Sequence, residues 1–253
     1  MARRKSRLVL VDLATPMKAK RQNRVNLFEL AYQRIEELLI NCTLRPGQSL
    51  TMQDLQDMTG FGRTPIHHAV NRLAADTLVL IRPRHGLKIA PIDLARERLL
   101  LKLRRDIERF VIRLATERAG PTERHQLLHM ERMLRDRREN LTLNEFNVLD
   151  RAIDRLILST ANEPFLIHTL QPLHTLFRRI GFIFHSQVPG RNTLTRTVDC
   201  HMAIVNAVAN RHVERAVEAS DALMVHVDAM FDDMESVIDP TLLDTSIEPM
   251  MGI

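Results

Sequence analysis

The chain has 253 residues, 45% hydrophobic and 26% charged, with a formal net charge of +5. That is enough for two domains, each with its own core. Cys42 and Cys200 are the sole cysteines and lie far apart; this excludes a disulfide framework and a cysteine metal site and makes a reducing cytoplasm the expected home. No apolar run approaches the ~20 residues of a membrane helix, and the basic N-terminus has no signal-peptide core. Aromatics make up 4%, with one Tyr and no Trp, so Leu, Ile, Met and Ala must fill the interior, as in packed helices. Charge is uneven. Residues 1–92 hold 15 Lys/Arg against 7 Asp/Glu, a net +8, which leaves −3 for residues 93–253. A basic front on a mildly acidic body fits a molecule of which one part meets phosphate.

Residues 1–24 show no periodicity and read as a flexible basic arm ending in Lys18, Lys20, Arg21 and Arg24. From about 26 to 40 apolar residues recur at Leu27, Ala31, Ile35, Leu38 and Leu39, a helix with one buried stripe. Pro46-Gly47 makes a turn, and Thr51 is a good N-cap for a short helix burying Met52, Leu55 and Met58. After Gly60-Phe61-Gly62 a helix runs from about 63 to 76, burying Ile66, Ala69, Val70 and Leu73. Pro65 suits its first turn, and Arg63 and Thr64 sit at the positive end of its dipole. Two apolar runs, 78–81 and 87–89, then flank Arg82-Pro83-Arg84-His85-Gly86. Together these elements read as a winged helix-turn-helix over residues 25–92, its second helix suited to a major groove and its hairpin tip to the flanking backbone.

Pro91-Ile92-Asp93 marks the boundary. Beyond it the spacing predicts helices near 94–118, 122–140, 143–160, 164–186, 192–210 and 213–237, an antiparallel bundle able to enclose a pocket. Residues 93–238 form this second domain, and residues 239–253, with Pro240 and Pro249, read as a loose tail. The predicted fold class is mainly α, with a small β-hairpin wing.

Gly62-Arg63-Thr64-Pro65-Ile66-His67-His68-Ala69-Val70 resembles the recognition-helix motif of GntR-family bacterial transcription regulators, and the whole order of domains resembles the FadR-type subfamily over about residues 27–230. The resemblance implies DNA contacts from Arg63, Thr64 and the wing tip His85-Gly86. His67 and Gln53 stand where relatives carry DNA-contacting arginines, so the operator is expected to depart from the common consensus; Arg84 is expected to meet phosphate. It further implies a homodimer on a near-palindromic operator, a repressor more often than an activator, and a small-molecule effector such as an organic acid in the helical domain.

For that domain the resemblance places Arg104 at the mouth of the pocket, either holding an effector carboxylate or pairing with Glu108 one turn on. His174 and His201 join it as effector-lining residues, and His168 and His185 lie on the same helix as His174. Many relatives bind a divalent ion (Zn, Ni or Mn) through an Asp and three His. Here Asp150, Asp154, His201 and His226 match that set imperfectly: Asp154 replaces the first His, and the last is expected near Leu223 rather than at His226. Both an intact site and a site lost in favour of direct effector binding fit this pattern. Two other functions compete: a metal-dependent hydrolase built on the same cluster, and a constitutive architectural DNA-binding protein. The former lacks a nucleophile motif and leaves the wing unexplained.

Overall fold

The computed structural model describes residues 17–188 and 194–246, with side chains from residue 27 onward. Helix α1 (Met17–Ile40) is followed by strand β1 (Ser49–Leu50), helix α2 (Met52–Thr59), helix α3 (Arg63–Ala75) and strands β2 (Val79–Arg82) and β3 (Gly86–Ile89). The strands form an antiparallel sheet in the order β1-β3-β2, with Ile81 opposite Leu87 and Leu50 opposite Leu87 on the other edge. The wing is thus a hairpin carrying a third short strand, which two-residue β1 was too short to announce in the sequence.

Local chemistry explains most of the head. Thr51 accepts from the Asp54 N–H while Asp54 accepts from the Thr51 N–H, a reciprocal cap at the start of α2. Gly60 ends that helix in the left-handed region, at φ 74°. Gly86 has φ 83°, and a Cβ there would meet the Leu50 carbonyl oxygen at 2.7 Å, so β1 can close on β3 only beside a glycine. The core joins Ala31, Ile35 and Leu39 of α1, Leu55 of α2, Ile66, Val70 and Leu73 of α3, and Leu87 and Ile89 of β3.

Three expectations need correction. Helix α1 begins at Met17, inside the stretch assigned to a flexible arm, because Met17-Lys18-Ala19-Lys20-Arg21-Gln22 are all good helix formers; residues 1–16 of the arm lie outside the described residues. Leu27 and Met58 are exposed rather than buried, each lying at the edge of its helix's apolar face. The segment after residue 238 is no loose tail as far as it is described. Helix α10 (Pro240–Leu243) turns the chain back onto the head, where the Ile92 N–H donates to the Leu243 carbonyl (2.8 Å) and the Thr245 N–H donates to the Pro46 carbonyl (2.9 Å).

The body contains α4 (Leu94–Arg118), α5 (Pro121–Arg137), α6 (Leu143–Ala161), α7 (Pro164–Gln187), α8 (Leu194–Ala209) and α9 (Val213–Val237). Caps placed these limits: Asp93 and Thr142 accept N–H bonds at the starts of α4 and α6, Pro121 opens α5, and Asn162 ends α6 with φ 50°. α9 packs along α4 and α8, α6 along α4, and α7 bridges the body to α1. That bridge is polar. Arg72 of α3 lies over the Tyr32 ring and donates to Glu29 of α1 (2.9 Å) and to Gln171 of α7 (3.1 Å), while Thr175 of α7 donates to Glu36 of α1. Arg179 of α7 donates to the Ala90 carbonyl at the end of the head (2.9 Å). None of the described helices is long and apolar enough to cross a membrane.

Candidate functional site

Two sites emerge. The first is the outer face of the head. Gly62 caps α3 in an extended conformation without a side-chain bond, so the first N–H groups of the helix point outward beside exposed Arg63 and Thr64. One turn on, His67 is exposed and hydrogen-bonds Asn71 (3.2 Å). Its neighbour His68 packs on Phe28 of α1, with ring centroids 4.6 Å apart. Gln53 on α2 is exposed, its amide donating to Asp57 (2.8 Å).

At the wing tip Arg82, Arg84 and His85 are exposed, and Arg84 is held at φ 67° by the tight turn before Gly86. Among the described residues the side chains of Arg63, Arg82 and Arg84 pair with no carboxylate, which leaves fixed positive charge beside a helix N-terminus. Lys88, the other basic residue of the wing, behaves differently. It bonds Ser246 (2.9 Å) and lies 3.7 Å from Asp244 of the folded-back segment.

The second site is a cavity between α4, α6, α7, α8 and α9. Its walls are Phe146, Phe177, Leu223, Val227 and Met230, and its polar lining includes Arg104, Asn147, Asp150, His174, Arg178, His185 and His201. The space open to the centres of water-sized groups is about 50 Å³, several times the ~10–15 Å³ that one water needs. Arg104 lies 5.2 Å from the Phe177 ring centroid and donates through Nε to Glu108 at 3.2 Å. Arg104 therefore pairs with Glu108, and it does so buried at the cavity wall rather than on the surface.

Behind the cavity lies a buried ion cluster. Arg178 donates through Nε to Asp150 Oδ2 (2.6 Å) and through Nη2 to Asp154. The other oxygen of Asp150 faces His201 Nε2 at 2.8 Å, and His201 Nδ1 faces the Thr197 carbonyl at 2.7 Å. His174 stands between Glu108 (2.7 Å) and Asp154 (3.1 Å). Burial raises a carboxyl's pKa and opposite charge lowers it, and the balance differs among the three acids. Burial pushes Glu108 up, yet His174 and Arg104 hold it down at about 2. Against the same burial, Arg178 and His201 hold Asp150 below the usual range. Burial wins at Asp154, which Asp150 also repels, so its pKa is raised. His201 is lowered by burial but raised overall by Asp150.

This geometry corrects the expected metal set. Asp150, Asp154 and His201 do come together, but a guanidinium occupies the gap between the carboxylates. His201 presents both ring nitrogens to acceptors, so neither offers a lone pair to an ion. His226 is elsewhere: its Nε2 and that of His185 meet the Thr197 hydroxyl, each at 3.1 Å. Burial pushes both of these histidines down to about 4, so they form a neutral chain beside the cluster. Leu223 fills the position where the resemblance places a last ligand. Among the described residues no group of three or more His, Cys, Asp and Glu is arranged to hold a metal, so the residues present do not fit the implied ion. His174 and His201 line the cavity as expected, though with their nitrogens already engaged.

Sequence reasoning missed Arg178 and Asn147. The available signal was that α7 carries Arg178 and Arg179 as its only Asp, Glu, Lys or Arg residues in an apolar 24-residue helix. Such a pair must be buried with partners.

Comparison with known proteins agrees with both halves of the fold. Residues 27–89 match the family model for bacterial regulatory proteins of the gntR family, and residues 99–226 match the FCD domain model. The Escherichia coli K12 HTH-type transcriptional repressor RspR is 26% identical over 192 residues, covering 74% of this chain and 82% of RspR. An HTH-type transcriptional regulator from an unstable DNA locus of Streptomyces ambofaciens is 25% identical over 209 residues, 81% of this chain and 84% of that protein. Among solved structures, E. coli McbR/YncC superposes with a TM-score of 0.72 at 17% identity, over 83% of this chain and 99% of that one. A GntR transcriptional regulator from Rhodococcus sp. RHA1 gives 0.60 at 15% identity, over 84% and 97%. The matched family model and the curated relatives are those of transcriptional regulators, which are not enzymes, and this removes the hydrolase reading. With a winged helix-turn-helix in front and an FCD domain behind, the chain belongs to the GntR family of HTH-type transcriptional regulators.

Proposed function

We propose that this protein is a cytoplasmic, homodimeric repressor whose operator affinity is set by a small organic acid bound in the helical cavity. The observation that carries the reading is the unpaired, exposed arginine set, Arg63 at the start of α3 and Arg84 at the wing tip, on a head tied by a polar bridge to the cavity's own helices. Arg63, Thr64 and His67 would meet base edges, Gln53 would flank them on α2, and Arg84, His85 and Gly86 would follow the backbone. An exposed apolar stripe on α4, formed by Leu99, Leu103 and Phe110, supports pairing with a second copy. Two heads related by that axis would read two half-sites.

Control follows from position. α7 lines the cavity with His174 and Arg178 and touches the head through Gln171, Thr175 and Arg179. α9 lines it with Leu223, Val227 and Met230 and leads into the segment that binds Pro46 and Lys88. A ligand that favours one arrangement of these helices would shift the heads by its differential affinity.

The test is operator selection from a random duplex pool, followed by gel-shift titration of wild-type protein and Arg63→Ala. Enrichment of a near-palindrome bound by the wild type and lost in the variant is the expected result. Retention of that specificity by Arg63→Ala would remove the recognition helix from the reading. DNA affinity indifferent to every small acid tried would leave an architectural protein.

A further inference from the structure

A cation already lies between the two α6 carboxylates that invited a metal. We propose that the Arg178 guanidinium is the resident cation of the cavity, standing where a divalent ion would sit, and that the cavity takes a small carboxylate with an apolar body without any metal. The second half rests on the effector reading above, and the first does not.

The case for the cation is geometric. Arg178 uses two nitrogens on Asp150 and Asp154, one helical turn apart, a fork-shaped fit that a planar guanidinium makes and a lysine cannot. Both oxygens of Asp150 are then occupied, one by Arg178 and one by His201. His174 reaches the same Asp154 oxygen as Arg178 and links it to Glu108 and Arg104. Both oxygens of Asp150, Oδ2 of Asp154 and Nε2 of His201 are thus engaged within the cluster. A divalent ion would have to displace a buried, doubly bonded guanidinium, leaving it unpaired in a low-dielectric interior.

The case for the ligand comes from what still faces the cavity. One acid lines it, Asp150, and both of its oxygens are used; against it stand Arg104, Arg178, three histidines and Asn147. Asn147 Nδ2 is buried without a partner among the described residues, on a residue only 9% exposed. Arg104 and Arg178 each place Nε and Nη2 on carboxylates, and both guanidinium side chains line the cavity. Donors therefore predominate among its polar groups. Phe146, Phe177, Leu223, Val227 and Met230 supply its apolar wall, with Phe146 beside His201 and Phe177 beside Arg104, which suits an acid with an apolar body.

The experiment uses untagged full-length protein purified without chelator. Elemental analysis should find no stoichiometric Zn, Ni or Mn, and EDTA or excess ion should leave Tm unchanged. One ion per chain, with a Tm that EDTA lowers, overturns the cation assignment. Arg178→Ala should lose Tm in EDTA and regain it with Zn or Ni as the vacated carboxylates take the ion. A folded Arg178→Ala that ignores both ions overturns the assignment as well, and if that variant does not fold the wild-type measurement decides. Isovalerate and isovaleramide, compared by thermal shift in EDTA, test the ligand. The acid should raise Tm and the amide should not. An equal or null response to the pair overturns the carboxylate, and a response that requires added Zn overturns both halves. Operator binding surviving any of these failures leaves the regulator reading in place.

Discussion

In the head, Arg63, Arg82 and Arg84 are exposed and, among the described residues, pair with no carboxylate; in the body, Arg104, Arg178 and Arg179 are less than 10% exposed and held by acids, a carbonyl or an aromatic ring. The same side chain therefore has two uses. An exposed guanidinium contributes little to folding and keeps its charge available for a partner from outside. A buried one is locked to internal acids, and its removal leaves those acids uncompensated.

The sharpest way to break this comparison is to remove one arginine of each kind. Arg178→Ala strips the cation from Asp150 and Asp154 and should cost about 3–5 kcal/mol of folding stability in metal-free buffer at neutral pH. Arg63→Ala should change stability by no more than about 0.5 kcal/mol. Urea unfolding of both variants measures the difference directly. Equal losses would mean that Arg63 is structural or that the cluster relaxes around its missing cation.

A second break lies at Glu97, only 2% exposed, where burial pushes the pKa to about 8 despite nearby Arg179. The folded pKa is raised above the ordinary 4.5, so the native state binds the proton more tightly than the unfolded chain. Stability contributed by the protonated group is complete below about pH 4.5 and is lost as pH rises towards 8. Glu97→Gln mimics the protonated form. It should match wild type below about pH 4.5, pull ahead as pH rises from there, and exceed it by on the order of a few kcal/mol above pH 8. A variant less stable than wild type at alkaline pH would show that Glu97 is ionised and is needed by Arg179.

The head's arginines should show their value only on DNA. Losing a base-reading arginine costs roughly 1–3 kcal/mol, so Arg63→Ala should weaken operator binding about ten- to a hundredfold by gel shift with little change on random duplex. Arg84→Ala should weaken both alike and flatten the salt dependence. A change in base preference on losing Arg84 would make the wing a reader of sequence.

The two regions also differed in how far they could be read in advance. The head is built from contacts close in sequence, Thr51 with Asp54, Gly62 before Arg63-Thr64-Pro65, and Arg84 before Gly86, so local spacing carries its geometry. The body's helix limits were equally legible because Asp93, Pro121, Thr142 and Asn162 are local signals. Its cluster was not. Arg178 meets Asp150 from 28 positions away, and nothing in either segment states which faces of α6 and α7 will touch. His226 illustrates the same limit: one turn past the expected ligand position, it turns to Thr197 and away from Asp150.

Lys88 sits between the two classes and gives the smallest predicted effect. It belongs to the wing, yet Asp244 and Ser246 draw it back towards the body, and it is partly covered. Asp244→Ala removes its counter-charge and the acceptor that orders Ser246 (2.9 Å to its N–H). The folding cost should stay at about 1 kcal/mol, typical of losing a hydrogen bond at a partly covered site. On DNA the sign reverses. A freed Lys88 beside the wing should add about one phosphate contact, steepening the slope of log K against log salt by about 0.9 and tightening binding to any duplex at low salt. An unchanged slope would mean that Lys88 faces away from the DNA and that its pair with Asp244 serves only to hold the C-terminal segment on the head.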